Sequence, residues 1–146
     1  MTTEADLQAA IDTAFVHTRP GGVALFAPDH VKETFAVETD HGGHDGGIRS
    51  LRYLAWTWDP DPADSSYVVD YFIALRGPDG QVRIEHDRQV EGLFPRKHWL
   101  KAVRDAGFKC SRVRFKHSEI AGEIDLFIGM RPAGKPARRP ASRRKG

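Results

Sequence analysis

Thr18-Arg19-Pro20-Gly21-Gly22-Val23-Ala24-Leu25-Phe26-Ala27 is the stretch from which the rest of the chain can be read, because it joins the end of a helix to an apolar strand. Upstream, Leu7, Ala10, Ile11, Ala14 and Phe15 recur at helical spacing, with Thr3 placed as N-cap and Asp6 three residues on. Pro20 and the two glycines cannot extend that helix, so it ends near Thr18. Val23 to Ala27 is apolar without alternation, which predicts a strand covered on both faces with a neighbour on each side. Helix, Arg-Pro-Gly-Gly link and apolar strand are the punctuation of a parallel-sheet unit. No strand, glycine-rich turn and helix precede them.

Downstream, Pro28 to Gly47 reads as loop with room for a short helix, closing in His41-Gly42-Gly43-His44-Asp45-Gly46-Gly47. Three antiparallel strands follow. Arg49 to Trp58 is stopped by Asp59-Pro60-Asp61-Pro62, and Tyr67 to Arg76 turns through Gly77-Pro78-Asp79-Gly80 into Gln81 to Glu91. Alternation puts Tyr67, Val69, Tyr71, Ile73 and Leu75 on one face, and His86 and Arg88 on the more apolar side of the last strand. Pro95 opens a second helix with Trp99, Leu100, Val103 and Ala106 as its buried stripe, and Gly107 is placed to end it. Lys109 to His117 and Glu123 to Met130 then read as an antiparallel pair, with His98 and His117 as surface residues.

At 146 residues, 40% hydrophobic and 29% charged, the composition is that of an ordinary globular domain. The single cysteine, Cys110, excludes an internal disulfide framework, and no apolar run is long enough to span a bilayer, so the cytoplasm is the expected location. The net charge of +2 is uneven: Arg131 to Gly146 holds seven of the 22 basic residues and no acid, leaving 15 bases against 20 acids in the body. Nucleic-acid binding would therefore rest on the tail alone, and is disfavoured.

Several words of the sequence, in this order, resemble one group of class I S-adenosylmethionine-dependent methyltransferases, those acting on small molecules such as amino sugars. They are Thr18-Arg19-Pro20-Gly21-Gly22, His86-Asp87-Arg88 leading into Gly92-Leu93-Phe94-Pro95-Arg96, Trp99-Leu100 with Ala106-Gly107-Phe108, and Leu126-Phe127-Ile128-Gly129-Met130-Arg131-Pro132. The resemblance covers about Thr3 to Pro132 and implies an α/β fold. The fold it implies would be the C-terminal part of a Rossmann-like methyltransferase sheet, with Val23 to Ala27 as the fifth strand and the three antiparallel strands as an insertion covering the substrate. Residues 1–132 then form a partial methyltransferase domain and 133–146 a basic, disordered tail.

By the same resemblance, the glycine-rich loop and the acidic residue that hold S-adenosylmethionine belong upstream of Met1. The chain is thus expected to be truncated, by an internal start, a gene fragment or a gene-model error, and not to bind the cofactor or turn over unaided. Gly42 to Gly47 is no substitute, because no apolar strand leads into it. Strand 23–27, left with an apolar edge, is expected to self-associate or to receive an N-terminal half.

Methyl transfer needs an unprotonated acceptor, and imidazole is a natural proton acceptor near neutrality. His86, on the strand that resembles the active-site cover, is the candidate catalytic base. Arg88 would orient an acidic group of a small-molecule acceptor, Trp56, Trp58, Tyr71 and Phe72 would wall the site, and His41 and His44 would sit on a flexible substrate-side loop. His41, His44, Asp45 and His86 include metal-ligand types, but glycines between them leave them poorly preorganised, and no metal is expected. The competing reading is a non-catalytic module that binds a small ligand or serves an accessory role.

Overall fold

A computed structural model describes residues 1–116 and 122–134. Among these residues, two helices and seven strands follow one another as α1 (Glu4–His17), β1 (Val23–Phe26), β2 (Glu38–Gly46), β3 (Arg49–Trp58), β4 (Ser66–Arg76), β5 (Val82–Gly92), α2 (Arg96–Asp105), β6 (Lys109–Phe115) and β7 (Ile124–Met130). They build a three-stranded sheet, β1-β7-β6, and a four-stranded sheet, β2-β3-β4-β5, with every neighbouring pair antiparallel.

The helix ends follow the sequence. The Thr3 hydroxyl accepts from the Asp6 backbone N–H while the Asp6 carboxylate accepts from that of Thr3, a reciprocal cap that satisfies two N-terminal donors. After α2, Gly107 takes φ +103°, a conformation that a side chain would oppose, and a Cβ there would lie 3.0 Å from the Phe15 ring. At the end of α1, the Arg131 guanidinium donates to the carbonyls of Phe15 and Thr18, so the chain end after β7 caps the first helix.

The main core lies between the helices and one face of the three-stranded sheet. Leu7 and Ile11 of α1, Trp99, Ala102 and Val103 of α2, and Phe127 of β7 are buried together with Val31, Phe94 and Phe108, and Phe26 and Ala24 pack against them. The Trp99 indole stacks on Phe127 at 5.4 Å, and Gly129 leaves room for Phe108, which would stand 2.8 Å from a Cβ there. Burying an aromatic side chain of this size is worth about 1.5–3 kcal/mol, so this cluster dominates the stability of the unit. The sequence predicted a β1 covered on both faces. Instead Val23 and Leu25 are 60% and 59% exposed, because both helices pack on the Ala24/Phe26 side. Among the described residues β1 has one strand partner, the antiparallel β7, where a strand with a neighbour on each side was expected.

The antiparallel segment has four strands and not three. The glycine run read as loop is β2, an edge strand paired with β3 from Glu38 opposite Thr57 to Gly46 opposite Arg49. Its glycines make room for side chains of β3 that fold across it: a Cβ on Gly42 would lie 2.8 Å from the Tyr53 ring. Turn chemistry had been read where a cross-strand neighbour demanded small residues. A smaller cluster of Ala55, Tyr67, Val69 and Leu93, with Phe35, Tyr53 and Tyr71, anchors one face of this sheet.

No helix among the described residues is long and apolar enough to cross a membrane. His117 and all but the first two residues of the expected tail, including the basic run Arg138 to Lys145, lie outside the described residues. His98 is half-buried beside Glu4, at 3.0 Å, and not the surface residue expected.

Candidate functional site

The strand register sorts the candidate residues onto two faces of the four-stranded sheet. Trp56 stands opposite Asp70, which stands opposite Arg88; Leu54, Phe72 and His86 form the next row, with His41 opposite Leu54 on β2. These residues, with Trp58, share one face. Tyr71 and His44 do not join them. Tyr71 is adjacent in sequence to Phe72 and so points the other way, packing against the smaller core cluster, where it helps seat the sheet. His44 lines a groove of about 680 Å3 at the hairpin tips with Arg49, Leu51, Leu75, Arg76 and Arg83, a groove that includes neither His86 nor Arg88.

Asp70 organises the site, and sequence reading passed over it. Its carboxylate is buried, at 4% exposure, in the middle of β4. Oδ1 accepts from Arg88 Nε at 2.8 Å and lies 2.7 Å from His86 Nε2; Oδ2 accepts from Arg88 Nη2 at 3.0 Å and from the Trp58 indole Nε1 at 2.9 Å. Arg88, then Trp58 and His86, hold the Asp70 carboxyl well below the usual carboxylate range, and Asp70 in turn raises Arg88. Four contacts fill the lone-pair directions of one carboxylate, which is how a buried charge becomes tolerable. The available signal was a charged residue inside the apolar run Val68-Val69-Asp70-Tyr71-Phe72, directly opposite Arg88 on the next strand.

This clamp fixes two side chains that remain half exposed, His86 at 49% and Arg88 at 54%. The His86 ring also stacks on Phe72, at 4.8 Å and 13°. With Nε2 against Asp70, Nδ1 is the nitrogen left to accept a proton, and among the described residues nothing hydrogen-bonds it. The Arg88 guanidinium sits 5.8 Å from the Trp58 ring centre, and its Nη1 carries donors that Asp70 does not use. Exposed Trp56 and Phe72 flank the pair, at 49% and 38%. The side of β5 read from sequence as the more apolar one is open to solvent at His86, because both helices pack on the other sheet. Chemically, the row is a positioned imidazole beside a partly neutralised guanidinium on an aromatic floor.

Among solved structures, the chain is similar to DesVI of Streptomyces venezuelae, with a TM-score of 0.75 and 22% identity over 90% of the chain. It is likewise similar to KedS8 of a Streptoalloteichus species, described as a sugar N-methyltransferase (TM-score 0.72, 23% identity, 89% of the chain). A third is CalS10 of Micromonospora echinaspora, an amino pentose methyltransferase solved with S-adenosylmethionine bound (TM-score 0.71, 18% identity, 90% of the chain). The match takes in 52%, 50% and 52% of those chains, respectively. The chain thus has the fold of about half of each of these three structures. No family model and no curated protein matches the chain by sequence.

The described residues do not fit a cofactor cradle of the kind the sequence resemblance implies. Such a cradle needs a glycine-rich turn between a strand and a helix, where backbone N–H groups converge. Here Gly42, Gly43 and Gly46 lie within edge strand β2, and Gly47 turns it into β3, another strand. No three His, Cys, Asp or Glu side chains come together as a metal-binding group among the described residues.

Proposed function

We propose that this chain is the acceptor-side, C-terminal half of a small-molecule methyltransferase of the S-adenosylmethionine-dependent class I type. The observation that carries the reading is the match of 90% of the chain to about half of structures that include sugar methyltransferases. The Asp70-clamped row supplies what an acceptor site needs. His86 Nδ1 takes the proton that an amine or hydroxyl must lose, and Asp70 holds the ring in the tautomer that leaves Nδ1 free. Arg88 offers its remaining donors to an acidic group on the acceptor, and Trp56 and Phe72 give a sugar ring an apolar platform. S-Adenosylmethionine would supply the methyl group, held by residues other than those described here.

The test is a titration of the purified chain, by tryptophan fluorescence and calorimetry, with amino sugars, their nucleotide-linked forms and S-adenosylmethionine. Methyl transfer is then assayed with the complementary half of KedS8 added. Acceptor binding that is lost in His86→Ala and Arg88→Ala, with transfer only in the mixture, is the expected result. Acceptor binding with no transfer in any mixture would leave a ligand-binding module. Binding of S-adenosylmethionine by the chain alone would overturn the assignment of cofactor and acceptor to different halves.

A further inference from the structure

The three-stranded sheet is apolar on the face that the helices do not cover. By register, Val23 stands opposite Met130, Leu25 opposite Ile128, and Leu126 opposite Val113, so six apolar side chains on three adjacent strands adjoin one another. Val23, Leu25, Met130 and Val113 are 60%, 59%, 50% and 42% exposed. Lys109 and Ser111 sit on the same face only at the β6 margin. An antiparallel sheet that meets water on one face normally alternates to polar residues there, and this one does not.

The sheet edges point to the same place. Four strands lie at sheet margins: β1, β6, β2 and β5. β6 carries Lys109, Arg112 and Arg114; β5 carries Arg83, Glu85, Asp87, Arg88 and Glu91; β2 carries Glu38, Asp40 and Asp45. Charges of this kind blunt an edge against pairing. Val23-Ala24-Leu25-Phe26, the β1 edge, has none, and among the described residues β7 is its only strand partner. The unguarded edge and the uncovered face are contiguous.

We infer that this edge and face form one docking surface for a second α/β unit, which lays a strand along β1 and an apolar helix across Val23, Leu25, Ile128 and Met130. A second copy of the chain cannot satisfy both. Edge-to-edge pairing of two β1 strands lengthens the sheet and leaves the apolar face bare, whereas face-to-face stacking leaves the edge unpaired. Nor, among the described residues, does a second copy have a helix to offer, since α1 and α2 spend Leu7, Ile11, Trp99, Ala102 and Val103 on their own core. The size fits: the chain spans about half of DesVI, KedS8 and CalS10, so those folds contain a further unit of comparable length. This inference rests on the reading of the chain as half of that fold, and names the surface that joins the halves.

The probes are the complementary halves of DesVI, KedS8 and CalS10, each produced separately and mixed with the chain. Native mass spectrometry and amide exchange are the readouts. A one-to-one complex with at least one probe is expected, with slowed exchange of the amides of residues 23–26. Leu25→Asp and Met130→Asp should each weaken it about tenfold or more by placing a charge in an apolar contact, and Val82→Asp on the other sheet should leave it unchanged. Both aspartate variants replace exposed residues, and near-ultraviolet circular dichroism of the chain alone checks that they fold. Two results would overturn the inference: a homodimer that protects residues 23–26 with no probe present, or free exchange at those amides in all three mixtures. The two proposals fail separately. A complex without methyl transfer removes the enzymatic reading and keeps the surface, and methyl transfer in a mixture that leaves the amides of residues 23–26 in free exchange does the reverse.

Discussion

Both sheets of this molecule leave one face to water, and the two faces handle it differently. On the four-stranded sheet the open face carries Asp70, His86 and Arg88 among its aromatics, and the buried charge has all its hydrogen bonds. On the three-stranded sheet the open face carries Val23, Leu25, Leu126, Ile128 and Met130, which have nothing to offer water. A face with a satisfied polar network can wait in solvent for a small polar ligand, whereas a continuous apolar face is complete only against another protein surface. The same contrast runs through the three-stranded sheet itself, whose two sides share strands and differ only in parity.

The largest expected effect separates those two sides. Phe127→Ala empties the centre of the core beneath Trp99 and should cost about 3–5 kcal/mol in urea unfolding, enough to threaten folding of an isolated chain. A cost below about 1 kcal/mol would mean that this face is no better packed than its bare reverse, and the comparison would collapse.

Next in size is the second buried aspartate. Asp125, within Ile124-Asp125-Leu126, accepts from Arg96 of α2 at 2.8 Å and from Arg112 of β6, tying helix to sheet on the covered side. Its arginines are 28% and 32% exposed, against 54% for Arg88 at Asp70, so one clamp is enclosed and the other presented. Asp125→Ala should cost about 2 kcal/mol, partial solvent screening of the arginines keeping it below the value for a fully buried pair. Asp70→Asn should leave the fold intact and release His86, read as a change in its imidazole nitrogen shifts.

Acid sharpens the pair further. Burial raises the Asp125 carboxyl, but the Arg96 and Arg112 contacts outweigh it, so both aspartates are held below the ordinary value of 3.8. Between that value and the lower folded one, the unfolded chain binds more protons than the folded. The stability they contribute is therefore complete above about pH 4 and is lost as pH falls through the folded values. Urea midpoints measured from about pH 6 to about pH 2 should fall at the acid end, and Asp70→Asn should flatten part of that fall. An unchanged acid slope in Asp70→Asn would mean that its clamp does not persist in solution.

What was legible in the sequence follows from which signals are local. Thr3, Pro95, Gly107 and the Gly77–Gly80 turn act through their own backbone, so helix ends and the β4–β5 hairpin were readable. The β2 strand was not, because Gly42 is dictated by the Tyr53 ring on a neighbouring strand. Tyr71 and Phe72 were assigned to one wall although adjacent strand residues face opposite ways, an error that alternation alone could have prevented. His86 and Arg88 were singled out by residue type, but Asp70, which holds both side chains, becomes visible only through the β4–β5 register.

The smallest expected effect is the most discriminating. Leu25→Ala removes a branched side chain from the middle of an apolar strand, a change that costs about 2–5 kcal/mol where the residue is buried. Here the side chain is 59% exposed, so the isolated chain should lose no more than about 0.5 kcal/mol. Once a partner covers the face, the same substitution should weaken association. A residue nearly silent in urea and costly in binding is the behaviour of an interface core. A loss of about 2 kcal/mol in the isolated chain would show instead that the face is already covered in solution, and the contrast between the two bare faces would end there.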